Sequence, residues 1–225
     1  EASPVEATMS ARAHVTLTDA LEAFASAKDE VSGSAKIAID ARATAPRLEN
    51  VEAALDLEAG DLSINKVTLM QQGPTRLRFA DGRLEVAELS WKGPRSVITA
   101  SGAIGMLPGV EGEFRAEGTT ALALLRTIAP GARGEAAFRV RLTGPPGSRR
   151  ASGSVDLNDV SLIAPERQLA LAGLSGTVTL EAVVLEARGL HGQLNGGELT
   201  VEGTVPVRAG VVAPRPLTLD ARGLF

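Results

Sequence analysis

The sequence predicts a mainly β protein, a long antiparallel meander with one apolar face and one polar face. From Ser34 onward, apolar residues alternate with polar ones in short runs, as in strands with one solvated side. Turn residues recur about every 8–15 positions, which is typical of consecutive hairpins. The chain is 44% hydrophobic but only 3% aromatic, so the apolar face is expected to be a thin layer of Val, Leu, Ile and Ala.

The chain also matches itself after a shift of about 101 residues. The shift places Gly203 on Gly102 and Gly134 on Gly33, and helix and strand signals follow in the same order in both halves. This predicts two tandem repeats, residues 17–117 and 118–218, within one continuous segment that covers residues 1–225. Stacked repeats bury one continuous apolar face.

Each predicted repeat opens with a short helix. After a weak strand that ends at Leu17, Thr18 or Asp19 can cap the first helix, and Asp19 with Glu22 has capping-box spacing. The second helix is expected at Thr119–Ala129, where Pro130 ends it.

The strands follow each helix, and their turns have recognisable signals. Asp81-Gly82 and Asn195-Gly196 are residue pairs that tolerate the positive φ of a tight hairpin turn. Gly33 is expected to end the first helical region, and Glu111–Glu117 is expected to form the strand before the second helix. The sequence therefore predicts a sheet of many short strands without a domain linker.

Composition excludes several classes of function. The net charge is −4 with both signs mixed along the chain, so no basic surface for nucleic acid is expected. No cysteine is present, and neither His14 nor His191 has a second ligand at metal-binding spacing, so we expect no metal, no cofactor and no enzyme. Arg149-Arg150 is interpreted as an exposed loop pair. No apolar run of membrane-spanning length occurs, and we expect the chain to be a segment of a longer protein.

Glycine-punctuated segments give the chain a family resemblance. They are Gly134-Glu135-Ala136-Ala137-Phe138, Leu142-Thr143-Gly144-Pro145-Pro146, Gly153-Ser154-Val155-Asp156-Leu157, Leu174-Ser175-Gly176-Thr177-Val178 and the stretch from Leu190 to Gly203. In this pattern the chain resembles the TamB branch of the AsmA-like bacterial envelope proteins, most clearly over residues 118–207. It departs from that family in having no N-terminal anchor helix and no recognisable C-terminal region.

The resemblance implies a fold and a function. It implies an antiparallel sheet folded lengthwise into a U-shaped trough (a β-taco) in the periplasm, anchored in the inner membrane through regions outside this segment. It implies carriage of phospholipids to the outer membrane. Older descriptions of the family stress the assembly of outer-membrane proteins, which makes an outer-membrane barrel protein a further implied partner.

The first functional hypothesis is therefore a hydrophobic groove that conducts phospholipid acyl chains. The inward positions of the alternating runs would line it: Ile37, Ile39, Leu55, Leu57, Ile64, Leu69, Leu77, Phe79, Leu84, Val86, Ile98, Phe138, Val140, Val155, Leu157, Leu162, Leu171, Val178, Leu180, Val183, Leu185, Leu199 and Val201.

Three other interpretations remain open at this point. The same residues could form the core of a closed sandwich. The chain could be a scaffold or chaperone module whose sheet edges pair with strands of outer-membrane proteins. It could also be a purely structural β-solenoid.

Overall fold

The computed structural model describes residues 7–16, 31–45, 47–64, 67–122, 131–164, 169–208, 211–212 and 218–222. Within them the chain forms fifteen strands, with a 3-10 turn at Leu48–Asn50. In chain order the strands are β1 (Ala7–Thr16), β2 (Val31–Ala43), β3 (Val51–Ile64), β4 (Val67–Gln71), β5 (Thr75–Ala80), β6 (Arg83–Gly93), β7 (Ser96–Gly105), β8 (Glu113–Ala121), β9 (Arg133–Thr143), β10 (Arg150–Ala164), β11 (Leu169–Ala182), β12 (Val184–Leu194), β13 (Gly197–Arg208), β14 (Val211–Val212) and β15 (Thr218–Arg222).

The strands form one sheet in which each strand pairs mainly with the strands before and after it in the chain. β4 and β5 lie end to end along β3, and both also pair with β6. β14 and β15 both pair with β13. Every pairing with a described register is antiparallel. The prediction of a mainly β, antiparallel meander is confirmed.

Both predicted hairpin turns are present. Asp81 and Gly82 have φ values of 52° and 68°, and Asn195 and Gly196 have φ values of 49° and 85°. Positive φ at both central residues matches the twist of the flanking strands, which is why these residue pairs favour such turns.

The structure tests only the start of the second predicted helix. The first helix was expected to open at Thr18 or Asp19, and residues 17–30 lie outside the described part of the chain. The second was expected to begin at Thr119, but Thr119, Thr120 and Ala121 are the last residues of β8, and residues 123–130 lie outside the described part. The helix start is therefore wrong, and the strand expected to end at Glu117 continues to Ala121. The two β-branched threonines suit a strand, and sheet pairing outweighs a short capping signal.

Gly33 does not end a structural region, because β2 runs through it from Val31 to Ala43. Pairing with β3 places Gly33 opposite Leu62, and a Cβ at Gly33 would overlap the Asp61 carbonyl oxygen. The glycine is needed for the close approach of two strands.

Strand positions recur along the chain. β9, β10, β11, β12 and β13 begin 99 to 102 residues after β2, β3, β4, β6 and β7, respectively. β5 has no separate counterpart in the second set. The break between β4 and β5, displaced by about 101 residues, falls within β11 where its pairing with β12 shifts register.

Contacts group the chain into two compact units. Unit 1 comprises Glu1–Gly93, Val97–Ala116 and Arg141–Arg150, and unit 2 comprises Pro94–Ser96, Glu117–Val140 and Ala151–Phe225. In unit 2, Leu122, Ala132, Ala136 and Val160 form a buried cluster, against which Val155, Leu157, Leu162 and Leu174 pack. In unit 1, Ala35, Leu69, Val86 and Trp91 are buried.

Candidate functional site: the apolar face of the sheet

Cross-strand pairing in unit 1 aligns apolar side chains in rows across five strands. Paired residues of antiparallel strands project from the same side of a sheet. One row contains Ala11, Ile39, Leu55, Leu77 and Val86, from β1, β2, β3, β5 and β6. A second row contains Met9, Ala41, Ala53, Phe79 and Leu84. We call these two rows the apolar face of unit 1.

The opposite side of the same strands is polar. Arg76 Nε donates a hydrogen bond to Asp56 Oδ1 at 2.7 Å, and this bond holds the pKa of the Asp56 carboxyl below its usual value. Arg78 lies between Ala54 of β3 and Glu85 of β6. The Arg76–Asp56 ion pair is exposed to water, so it marks the solvated side of the sheet and contributes little to stability.

Unit 2 repeats this division of faces. One row contains Val155, Val178, Ala187 and Gly203, and the next contains Gly153, Leu180, Leu185 and Val205. These rows are the apolar face of unit 2. Between them lies a polar row of Ser154, Thr179, Glu186 and Thr204 that projects from the other side. Arg188 donates to Glu186 at 2.7 Å and lowers the pKa of its carboxyl.

Most of the 23 predicted lining residues are only half-buried. Leu69, Val86 and Leu199 are the three buried ones, with exposed fractions of 3%, 7% and 6%. Ile64 belongs to β3, but its side chain lies outside the description, and 17 of the others are intermediate in exposure. A closed sandwich would bury the central residues of such rows, as close-packed interiors do.

Two predicted lining residues are exposed. Val140 lies in β9 with 42% of its surface accessible. Val183 was expected in a strand, and that position is wrong: it lies in the turn between β11 and β12 and is 56% exposed. Glu181 pairs with Val184, which leaves only Ala182 and Val183 to make the turn. Neither Ala182 nor Val183 is a residue type that favours turns, so the sequence gave no turn signal at this position.

The predicted lining left out Trp91, although the alternating pattern includes it, and the pattern gave no sign of two buried polar residues, Thr75 and Ser96. Trp91 is 8% exposed and pairs with Gln71, which lies two residues from Leu69 and so on the same side of the sheet. Thr75 and Ser96 are each 1% exposed. Ser96 Oγ accepts a hydrogen bond from the Ala121 backbone N–H at 3.1 Å, which offsets the cost of its burial. A hydrophobic pattern does not predict the burial of polar residues, so the burial of Thr75 and Ser96 is evident only from the structure.

Glycines in the strands allow backbones to approach closely. Gly176 in β11 has φ of +137°, and a Cβ there would lie 2.6 Å from the Gly189 carbonyl oxygen of β12. The register between these strands shifts at the same place, between Ser175 and Thr177. Gly102 in β7 has φ of +121°, and a Cβ there would lie 2.9 Å from Phe114 Cα. Such irregularities increase the local twist and bend of a strand.

No family model, curated protein or solved structure matches this chain. The functional interpretation therefore depends on the residues themselves. Among the described residues, no helix is both long and apolar enough to cross a membrane. Within the same part of the chain, no group of three or more His, Cys, Asp or Glu residues could hold a metal ion.

Three described cavities open at the surface, and charged or polar residues line much of each. The one in unit 1 beside Arg76, Arg78 and Glu85 has a volume of about 870 Å³. A second in unit 1, beside Asp40 and Glu52, has about 320 Å³, and one in unit 2 beside His191 has about 520 Å³. Their walls include only three of the predicted lining residues, which are Val86, Phe79 and Leu199.

Proposed function

We propose that this chain is a segment of a periplasmic protein that conducts phospholipids between membranes along the apolar faces of its sheet. The observation that carries this proposal is the alignment of apolar side chains into cross-strand rows that are mostly half-buried. Extended apolar surface that is accessible to solvent marks a binding site in most soluble proteins. Long rows of Ile, Leu and Val suit linear acyl chains, which need contact along their length and few polar groups.

The energetics of acyl chains explain why a continuous path is needed. Each CH₂ removed from water contributes roughly 0.8 kcal/mol, so a chain of about sixteen carbons gains roughly 12 kcal/mol. Leaving a bilayer for water forfeits that amount. Along a continuous apolar face each step exchanges one apolar contact for another, so the barrier stays low. The process is passive and needs no catalytic residue, and the charged head group can stay in water.

The trough shape and the tandem duplication are part of this proposal. The recurrence of strand starts at intervals of 99 to 102 residues supports a duplication of residues 17–117 as 118–218. Glycines such as Gly102 and Gly176, at which strands approach closely, support a bent sheet. A sheet bent towards its apolar side shields lipid from water on both flanks.

The proposed setting follows from the resemblance to TamB-like envelope proteins. It places the chain in the periplasm, as part of a protein anchored in the inner membrane through other regions. The partners are phospholipid acyl chains and, at the outer membrane, a barrel protein.

Extraction of bound lipid tests the proposal. We expect the chain, purified without detergent, to carry phospholipid detectable by mass spectrometry. Leu180→Asp should abolish this signal, because it places a carboxylate in an apolar row of unit 2. Ser154→Asp adds the same charge to the polar side of the adjacent strand and should keep the lipid. A folded, lipid-free wild type would contradict the proposal and favour a closed core.

A further inference from the structure

The largest of the three described cavities lies on the polar side of the sheet, away from the proposed lipid path. It has a volume of about 870 Å³, and its lining includes Arg76, Arg78, Arg83 and Glu85 of β5 and β6. Arg78 pairs with Glu85 across these strands, and Arg76 and Arg83 lie two residues from them. All four side chains therefore project from the side opposite Leu77 and the apolar face of unit 1.

Two arginines of this cavity have no counter-ion. Arg76 is bonded to Asp56, whereas Arg78 and Arg83 form no ion pair with any residue that the structure describes. Arg83 lies two residues before Glu85, the partner of Arg78, so the two arginines are diagonal neighbours across β5 and β6. Diagonal neighbours are about 7–8 Å apart, within reach of long side chains. Two guanidinium groups at this spacing can converge on one phosphate, whose oxygens match the guanidinium fork.

Carboxylates also line the cavity, and two of them are available to a ligand. Glu113 is already neutralised, because Arg141 and Arg115 donate hydrogen bonds to it at 2.8 Å and hold its pKa below the usual value. Glu85 and Glu111 form no ion pair within the described part of the chain. The available charges are thus two guanidinium and two carboxylate groups, which complement a ligand that carries both signs.

Small residues leave the space between these charged groups open. Gly102 of β7 has to be glycine, because a Cβ there would overlap the backbone of Glu113 at the start of β8. This close approach holds the segment 111–113 beside β7. The other small lining residues are Ala87, Ser101, Ala103 and Gly112. A volume of this size is within the range of small-molecule sites.

We propose that this cavity binds a small zwitterion in which a phosphate is joined to a primary amine by a short linker. Arg78 and Arg83 hold the phosphate, and Glu85 and Glu111 accept hydrogen bonds from the ammonium group. The site goes beyond lipid conduction and does not depend on it, since it lies on the opposite side of the sheet. The same chemistry occurs in a free phosphoamine and in the head group of an aminophospholipid.

Isothermal titration calorimetry of the whole chain with phosphoethanolamine tests the site. At low salt, where charges are least screened, we expect binding at least about tenfold tighter than that of inorganic phosphate or ethanolamine, each of which offers only one charge. Arg83→Gln should weaken binding of phosphoethanolamine and of phosphate by about tenfold, because one guanidinium contact is lost. Glu111→Gln should weaken phosphoethanolamine alone.

Arg12→Gln is the matched control. Cross-strand pairing places Arg12 on the same side of the sheet as Arg76, but outside the cavity lining. This variant removes the same charge from the protein and should keep the affinity of the wild type. Equal loss in Arg12→Gln and Arg83→Gln would reduce the effect to net charge and overturn the proposal.

Vesicles distinguish the two sources of the ligand. Phosphatidylcholine vesicles with and without phosphatidylethanolamine are sedimented with the wild type and with Arg83→Gln. Capture that requires phosphatidylethanolamine and is lost in Arg83→Gln assigns the site to a lipid head group. Binding of phosphoethanolamine without such capture assigns it to a free molecule, and either result supports the proposal. Absence of both would overturn it and would leave acyl-chain binding on the opposite side of the sheet unaffected.

Discussion

Replacement of Leu55 by Asp is expected to reduce lipid binding and transfer by at least about tenfold. Leu55 lies at the centre of the row formed by Ala11, Ile39, Leu55, Leu77 and Val86. An acyl chain lying across it would have to desolvate the new carboxylate, which costs several kcal/mol, and each 1.4 kcal/mol corresponds to a tenfold loss. The measurement is transfer of a fluorescent phospholipid between donor and acceptor vesicles, with the protein as carrier.

The neighbouring residue provides a matched control. Ala54 lies on the opposite side of β3, between Asp40 and Arg78. Ala54→Asp adds the same charge to the same strand and is expected to retain transfer, because Arg78 offsets the new carboxylate. Circular dichroism should show strand content for both variants. Equal transfer by the two variants, with both folded, would rule out the apolar face as the path.

The second large effect concerns the glycines that allow close strand approach. We expect Gly176→Ala to lower the free energy of unfolding by about 2–5 kcal/mol. The φ of +137° is unfavourable for any residue with a Cβ, and the added methyl would meet the backbone of Gly189 and Leu190 in β12. Urea denaturation followed by Trp91 fluorescence and circular dichroism measures this loss.

Two further glycine variants distinguish the cost of backbone strain from the cost of steric overlap by the added methyl group. Gly73→Ala should be nearly neutral, since nothing lies within 4 Å of its Cβ position. Gly189→Ala, with φ of +57° and an equally open Cβ position, should cost only about 1 kcal/mol, the penalty for left-handed backbone. If Gly176→Ala were as stable as Gly73→Ala, close approach between β11 and β12 would not explain the glycine.

The sheet itself was predictable because alternation reports directly on which side of a strand is solvated. Leu55, Leu77 and Phe79 were placed by that period alone, and pairing brings Leu55 opposite Leu77. The hairpin turns at Asp81-Gly82 and Asn195-Gly196 were predictable because their positive φ values favour those residues.

Other features could not be read from the pattern. The capping signal at Thr119 is local, whereas β8 is held by pairing with strands on both sides, so the strand continues to Ala121. The turn at Val183 has no Gly, Asn or Pro within it. The burial of Thr75 and Ser96 depends on long-range packing, which a hydrophobic pattern does not predict.

The most direct test of lipid contact uses Trp91, the single tryptophan of the chain. It is 8% exposed and lies on the same side of the sheet as Leu69. Phospholipids with brominated acyl chains quench tryptophan fluorescence on close contact. If acyl chains lie along the side of the sheet that holds Leu69 and Trp91, the emission of Trp91 should fall on adding brominated phospholipid. It should stay constant with the unbrominated analogue. Unchanged emission while brominated lipid is bound would contradict acyl-chain conduction along the face that includes Trp91.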